Sequence, residues 1–184
     1  MGHADLRIET QRLVLRPPRG EDFEAWAAFM ADEDAARWIG GPMSRPAAWR
    51  GLLTVVGAWE VQGFGMFSVL ERGGGEWVGR LGPWMPEGWP GPEVGWGIVR
   101  SRWGRGYASE GAAAAMDWAF DALGWPEVIH CIDPGNAASV RVAERLGSRR
   151  RGSGRLPEPF DAPVEIWGQT RDEWRSRRPP GRAP

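Results

Sequence analysis

"RWGRGYASEG", residues 102–111, determines the fold because it places a glycine-rich turn between a strand and a helix. The segment before it, "EVGWGIV" (93–99), is typical of a strand. The segment after it, "AAAAMDWAFDALG" (112–124), is typical of a helix. At a helix start, free backbone N–H groups and the helix dipole favour an anion. The turn therefore indicates either a phosphate site or simply a loop that needs positive φ angles.

The glycine spacing excludes two common phosphate-binding motifs. "GRGYAS" (104–109) lacks the third glycine of the dinucleotide fingerprint, and no acidic strand end follows about 20 residues later. A P-loop requires a lysine, and the sequence contains none. The missing lysine also excludes Schiff-base and lysine-nucleophile chemistry. The ligand that remains possible for this turn is a pyrophosphate held mainly by main-chain amides.

The segments around this turn predict a mixed α/β sheet in a single domain. Apolar or alternating runs predict strands at 12–18, 65–71, 76–84, 93–99, 127–133 and 164–169. Helical spacing of apolar residues predicts helices at 21–30, 44–60, 107–123 and 136–147. Because helix 107–123 crosses from strand 93–99 to strand 127–133, we expect those strands to be parallel. "TRDE" (170–173) matches a capping box and predicts a terminal helical turn.

The composition describes a globular chain with no preference for polyanions. Its 184 residues carry a formal net charge of −1, which favours neither nucleic acid nor an anionic membrane. No run has the length of a membrane span, and no signal-peptide pattern opens the chain. The single cysteine, Cys131, excludes an internal disulfide and predicts a cytoplasmic protein. With only His3 and His130 as histidines, no metal site is expected.

Three segments carry a resemblance to a known family: "WGRGYASEG" (103–111), "NAASVRVAERLG" (136–147) and "IETQRLVLRPPRGEDFEAW" (8–26). With the order of elements, they resemble the GNAT superfamily of acetyl-CoA-dependent N-acetyltransferases, especially the branch with ribosomal-protein N-terminal acetyltransferases. The resemblance covers residues 8–170 and implies one GNAT domain with about six to seven strands and about four helices. Residues 171–184 are expected to form a disordered tail.

The resemblance implies that the turn wraps the pyrophosphate of coenzyme A. The family's Gln/Arg-x-x-Gly-x-Gly/Ala pattern and the residue after it fall on Trp103, Gly104, Arg105, Gly106, Tyr107, Ala108 and Ser109. Trp103 departs from the usual Gln or Arg. Because backbone amides provide most of the binding, this departure weakens the match little.

A second motif, Asn136-x-x-Ser139, lies where family members place an asparagine against the pantetheine arm and a polar group near the thioester sulfur. Asn136 is also a good helix N-cap, so both roles stay open. Many members use a tyrosine to protonate the leaving thiolate. The only tyrosine here is Tyr107, inside the turn, which leaves that role to Ser139 or water. A thiolate with a pKa near ~8.5 is a tolerable leaving group.

The amine must be neutral to attack, which calls for a base. Without a well-placed histidine we expect a carboxylate, and Glu93 is the first candidate because it opens the strand beside the family's substrate cleft. An exposed edge carboxylate is the alternative interpretation of Glu93. For Glu110, in the first turn of the phosphate-binding helix, contact with the helix dipole is the simpler explanation.

The acceptor side is predicted less sharply. Trp49, Trp59, Trp84 and Trp89 are candidates to line it. Trp84 and Trp89 lie in or beside a loop and are the preferred substrate wall. Trp49 is expected in the core, on a helix face shared with Leu52, Leu53 and Val56.

Taken with the resemblance, these residues predict an enzyme that moves the acetyl group of acetyl-CoA to a primary amine by direct attack in a ternary complex. An ordinary glutamate lies about 6 pKa units below lysine but only about 3.5 below a peptide α-amine, which favours a protein N-terminal α-amine as acceptor. A small-molecule amine, such as an antibiotic or polyamine, and a non-catalytic acyl-CoA-binding module are the alternatives. Neither nucleic acid nor membrane is expected as a partner, and the chain is expected to be a monomer or homodimer.

Overall fold

A computed structural model describes residues 5–177 of the chain. The strands are β1 (Ile8–Glu9), β2 (Leu13–Arg16), β3 (Phe67–Glu71), β4 (Trp77–Trp84), β5 (Glu93–Ile98), β6 (Glu127–Ile132), β7 (Arg149–Arg155) and β8 (Pro163–Thr170). The α-helices are α1 (Phe23–Ala31), α2 (Glu33–Ala36), α3 (Arg45–Gln62), α4 (Tyr107–Asp121), α5 (Ala137–Arg145) and α6 (Arg171–Ser176). The described residues thus contain slightly more strands and helices than expected, in the same mixed α/β class.

One mixed sheet joins all of these strands in the order β1-β2-β3-β4-β5-β6-β8-β7. β5 and β6 are parallel, as the crossover helix α4 predicted. The other neighbouring strands are antiparallel. The sequence analysis predicted neither of the two edge strands, β1 and β7, nor the short helix α2.

Helix α4 packs closely on the sheet because its inward side chains are small. Ala112, Ala115 and Ala119 are completely buried. A Cβ on Gly111 would lie 2.5 Å from Leu81 Cδ2 in β4, so only glycine allows this approach. The helix therefore places its N-terminal turn firmly beside the end of β5.

Helix α3 buries a different face from the one predicted. Its buried residues are Ala48, Leu52, Val55 and Trp59, at the i, i+4, i+7, i+11 spacing of one helix face. Leu53 is exposed, and Trp49 is 41% exposed, so the core assignment of Trp49 was wrong.

The C-terminal segment that follows β8 begins with a short helix, α6, rather than with a disordered tail. Thr170 caps α6 by accepting a hydrogen bond from the Glu173 backbone N–H, and the Glu173 side chain accepts one from Thr170 N. This is the predicted capping box. Residues 171–176 therefore depart from the expected disordered tail, and residues 178–184 lie outside the described part of the chain.

Candidate active site

The sheet opens between its two parallel strands. β5 and β6 share the single pair Glu93–Ile129, held by a 2.9 Å hydrogen bond from Ile129 N to Pro92 O. Beyond that pair the strands diverge and leave a cavity of about 390 Å³. Glu93 and Trp96 lie on opposite faces of β5, and both line the cavity. The cavity therefore collects side chains from both faces of the sheet.

Glu93 is a buried carboxyl group at this opening. It is 6% exposed, which excludes the alternative interpretation of a solvent-exposed edge carboxylate. Its Oε2 accepts a 2.5 Å hydrogen bond from Trp89 Nε1, and its Oε1 accepts one of 3.0 Å from the Cys131 backbone N–H. Burial raises the pKa of Glu93 to about 7, against these hydrogen bonds, which act to lower it. The group can therefore gain or lose a proton near neutral pH.

His130 and Cys131 also line the cavity, but their surroundings make both side chains unreactive. Nδ1 of His130 lies 2.7 Å from Val94 O, and Nε2 lies 2.9 Å from Ser148 Oγ. Burial lowers the pKa of His130 to about 4, so the imidazole is neutral and both ring nitrogens are engaged. Burial and the nearby Glu93 carboxylate raise the pKa of the Cys131 thiol, which stays protonated. Glu93 is thus the group in this cavity that can titrate near neutrality.

The four candidate tryptophans divide into two pairs. Trp84 and Trp89 line the cavity with Glu93. Trp49 packs edge-on against Phe23, with ring centroids 4.8 Å apart, on the outside of α3. Trp59 is buried in the core. The structure thus brings two of the four to the cavity.

The glycine turn presents a row of free amides at the start of α4. Gly104 and Gly106 have φ angles of +74° and +80°, the left-handed region that favours glycine. The first helical hydrogen bond runs from Glu110 N to Gly106 O. Within residues 5–177, no acceptor meets the backbone N–H groups from Gly104 to Ser109. The Ser109 Oγ is also buried without a partner. These donors fit a phosphate or pyrophosphate.

Contacts with the N-terminal segment hold this turn in place. Arg12 Nη1 donates a 2.8 Å hydrogen bond to Arg105 O, and the same guanidinium lies 2.6 Å from the Glu110 carboxylate. Thr10 Oγ1 donates a 2.6 Å hydrogen bond to Glu110. These contacts give Glu110 a structural role beyond its place near the helix dipole.

The two aromatic residues of the turn are bonded to the protein. Trp103 Nε1 donates a 2.7 Å hydrogen bond to Ile98 O, although the side chain is half-exposed. Tyr107 is buried, and its hydroxyl donates a 2.6 Å hydrogen bond to Glu71. Tyr107 does not line the cavity that contains Glu93. The one tyrosine is therefore not placed to protonate a leaving group there.

Asn136 and Ser139 both line the cavity at the start of α5. Asn136 Oδ1 accepts a 3.1 Å hydrogen bond from Ser139 N and so caps the helix. Ser139 Oγ accepts a 3.2 Å hydrogen bond from Trp96 Nε1, which leaves its hydroxyl hydrogen free to donate. The helix-cap role of Asn136 is compatible with a ligand contact through its amide NH₂ group.

Besides Glu93, three charged residues line the cavity, and sequence reasoning missed them all: Arg37, Asp133 and Arg80. Arg80 belongs to β4. It lies in "VGRLG" (78–82), between small and apolar residues, and nothing in that pattern separates it from a solvent-exposed arginine. Only its register in the sheet, where it pairs with Gly97 of β5, reveals its place.

Residues 5–177 contain neither a candidate membrane-spanning helix nor a candidate metal site. No helix there is long and apolar enough to cross a membrane. No three histidine, cysteine or acidic side chains come together there in a way that could hold a metal ion.

Comparison with known proteins gives the family. A model of the GNAT acetyltransferase domain matches residues 12–149. The crystal structure of an acetyltransferase from Agrobacterium tumefaciens str. C58 is similar, with a TM-score of 0.80 and 31% identity over 90% of this chain and 95% of that one.

Two curated relatives from bacilli also match. The uncharacterized N-acetyltransferase p20 of Bacillus licheniformis is 24% identical over 148 residues, 79% of this chain and 83% of that protein. The uncharacterized protein YkkB of Bacillus subtilis is 37% identical over 87 residues, 46% of this chain and about half (51%) of YkkB. The chain belongs to the GNAT acetyltransferase family and is an acyltransferase.

Proposed function

We propose that this enzyme transfers the acetyl group of acetyl-CoA to a primary amine, which attacks directly in a ternary complex. The observation that carries this proposal is the pairing of a free-amide turn with a buried, titratable carboxyl group at the opening between β5 and β6. Acetyl-CoA supplies the acetyl group as a reactive thioester. The residues below bind the two substrates and move the proton.

The turn from Trp103 to Ser109 binds the coenzyme A pyrophosphate through main-chain amides. Support comes from the two left-handed glycines, the unpaired N–H groups and the partnerless Ser109 Oγ. Trp103 contributes by fixing the turn to β5, and Arg105 adds a nearby positive charge. Asn136 contacts the pantetheine arm while it caps α5.

Glu93 is the general base. A carboxylate with a pKa of about 7 lies only about one unit below a peptide α-amine and about three below lysine, so it takes a proton from an α-amine at a smaller cost. As the C–N bond forms and the C–S bond breaks, Glu93 removes the proton of the amine. The thiolate leaves, stabilised by the Ser139 hydroxyl or by water.

The acceptor approaches from the side of Trp84 and Trp89, which line the cavity with Glu93. The small pKa difference between Glu93 and a peptide-like α-amine supports an acceptor of that type, at a protein N-terminus or on a small molecule. The cavity of about 390 Å³, which is partly open to solvent, favours a small molecule, because a ligand of that size fills it without an extended chain. The single cysteine, Cys131, is consistent with work in the reducing cytoplasm.

Glu93→Gln tests the proposal through the pH dependence of turnover. Release of the free thiol should fall about 100-fold at neutral pH, the usual scale for loss of a general base. In the wild type, kcat/KM should rise with pH through an apparent pKa of about 7 as Glu93 ionises. The variant should lose that limb, recover part of its rate at high pH where the amine is already neutral, and keep its affinity for acetyl-CoA.

Calorimetric titration with acetyl-CoA is the control for folding and binding in the same variant. Wild-type turnover by the Gln variant from pH 6 to pH 9 would show that Glu93 is not the base. Tight acetyl-CoA binding without thiol release, for any amine in a broad panel, would instead indicate a non-catalytic acyl-CoA-binding module.

A further inference from the structure

Arg80 brings a positive charge to the cavity and forms no direct ion pair within residues 5–177. Its Nη1 lies 2.5 Å from Met66 Sδ, a weak acceptor, and its Nε is buried without a hydrogen-bond partner. The Trp26 ring lies 5.5 Å from the guanidinium carbon and attracts the cation but offers no oxygen. Within residues 5–177, no carboxylate lies within ion-pairing distance of Arg80, and Glu93 acts on it only through a longer-range charge interaction.

The other charged groups of the cavity are already satisfied by the protein. Glu93 accepts hydrogen bonds from Trp89 and Cys131. Asp133 accepts one from the Gly135 backbone N–H, at 2.8 Å. Arg37 is paired with Asp34 at 3.0 Å. Arg80 is therefore the charge that an incoming ligand can match.

The sheet register places Arg80 on the same face as Glu93. Arg80 pairs with Gly97 in the β4–β5 ladder, and residues 93, 95 and 97 of β5 share one face. Gly95 lies between the two charged side chains: a Cβ there would be 3.4 Å from Glu93 Oε1 and 3.1 Å from Met66 Cε, the side chain in contact with Arg80. The flexible Met66 side chain thus fills the space over Gly95, and a small ligand that displaces it can reach both Glu93 and Arg80.

The rest of the cavity is suited to an apolar body. Trp84 and Trp89 lie on the Glu93 side, and Phe160 packs edge-on against Trp89 with ring centroids 6.1 Å apart. Trp38 and Phe160 are partly exposed, which places aromatic surface within reach of solvent. Aromatic walls favour a ligand with an aromatic or aliphatic group.

We propose that the acceptor is a small amine that carries a carboxylate, an α-amino acid with an aromatic or large aliphatic side chain. Its carboxylate pairs with Arg80, its amine lies at Glu93, and its side chain contacts the tryptophan wall. The amine nitrogen forms the amide bond, the C–S bond of acetyl-CoA breaks, the amine proton passes to Glu93, and coenzyme A leaves as the thiolate. This inference rests on the proposed function and names its acceptor.

The test compares each amino acid with its own carboxamide. L-Phenylalanine, L-tryptophan and L-leucine, each as free acid and as amide, are assayed for thiol release with wild type, Arg80→Met and Arg80→Lys. Since the free acid has the more basic amine, rates are compared per neutral amine. On that scale the wild type should prefer the acids by about 10- to 100-fold in kcat/KM, the scale of a charge-assisted hydrogen bond. Arg80→Met should remove that preference, and Arg80→Lys should retain part of it because the positive charge remains.

Arg50→Met, a change to an exposed arginine of α3, is the matched control and should keep the preference. If Arg80→Met does not fold, the Lys variant decides, since it must give an intermediate preference. Equal rates for acids and amides, or turnover only of peptides and other amines, overturn the proposal and leave the acetyltransferase function intact. Bound acetyl-CoA with no turnover of any amine overturns both.

Discussion

At the scale of single residues, the burial of Glu93 makes it suitable as a base and also lowers the stability of the folded protein at high pH. Its pKa is raised from 4.5 to about 7 in the folded state. Between these two values the folded protein keeps a proton that the unfolded chain has released, so the free energy of unfolding falls as pH rises. Stability from the protonated form is complete below about pH 4.5 and is lost as pH passes 7.

Glu93→Gln should remove this pH dependence. Urea unfolding at pH 5 and pH 8 should show the variant gaining about 2.5 kcal/mol relative to wild type at the higher pH, most of the free-energy equivalent of the pKa shift. The comparison uses wild type at the same two pH values, so other titrating groups cancel. An equal stability difference at both pH values would mean that the carboxyl has an ordinary pKa.

Asn136 has two predicted roles that one substitution separates. Its Oδ1 caps α5, so Asn136→Ala should lower the free energy of unfolding by about 1 kcal/mol. If its amide also contacts the pantetheine arm, affinity for acetyl-CoA should fall by about 1–3 kcal/mol, the cost of leaving buried partners unpaired. Thermal unfolding and calorimetric titration give the two quantities. Asn136→Asp is the control, since it preserves the cap. A loss of stability alone would assign Asn136 to the helix only.

At the scale of secondary structure, the turn before α4 was predictable because glycine spacing and helix periodicity report local geometry. The crossover helix α4 and the parallel strands it joins followed from the same local signals. β7 was not predicted because its sequence, "RRRGSGR" (149–155), shows no apolar alternation. The strand lies at the edge of the sheet, where such alternation is not required. In α3, Trp49 and Leu53 made the wrong face look buried, since the helix is apolar on more than one side.

Gly106→Val tests whether the turn binds its ligand through the backbone. A valine there is strained at φ +80°, and its Cβ would lie 3.4 Å from Nη2 of Arg12, the side chain that holds the turn. Because both effects disturb the row of amides, affinity for acetyl-CoA should fall at least 100-fold. Arg105→Ala should have a smaller effect because a side chain, not the amide row, is removed. Calorimetric titration of the folded variants measures both.

Gly63→Val is the control for strain alone in this experiment. Gly63 ends α3 with φ +77° and open space around it, so valine there should cost similar stability without changing acetyl-CoA affinity. If Gly106→Val folds and binds acetyl-CoA as tightly as wild type, the amides of the turn do not hold the ligand.

At the scale of the whole molecule, the active site depends on contacts between residues far apart in sequence. The family resemblance and the strand order placed Glu93 at the opening. Its burial follows from Trp89 and from β6, neither of which a local pattern shows. The place of Arg80 in the cavity could not be predicted for the same reason, because it depends on pairing with Gly97 of another strand. Most of the helices and strands were predictable from the sequence, and the electrostatics of the cavity were not.

The sheet itself is divided at this site, which predicts how the molecule responds to its substrate. Strands β1 to β5 and strands β6, β8 and β7 meet at the single pair Glu93–Ile129. A ligand that enters this opening contacts both parts and binds only the folded chain. At about 100 times its Kd, acetyl-CoA should therefore add about 2.7 kcal/mol to the free energy of unfolding and raise Tm by about 5–10 °C.

Hydrogen exchange locates that stabilisation. Amide protection should increase at Cys131 and Ile132 of β6 and along β5, as well as in the turn 104–109, because the ligand joins the two parts of the sheet. Gly106→Val, measured at the same acetyl-CoA concentration, should show neither the Tm increase nor the added protection. Protection confined to the turn, with β5 and β6 unchanged, would mean that the ligand lies on the surface of α4 and does not enter the opening. The amine would then have no route to the thioester past Glu93, and the proposed reaction geometry would be wrong.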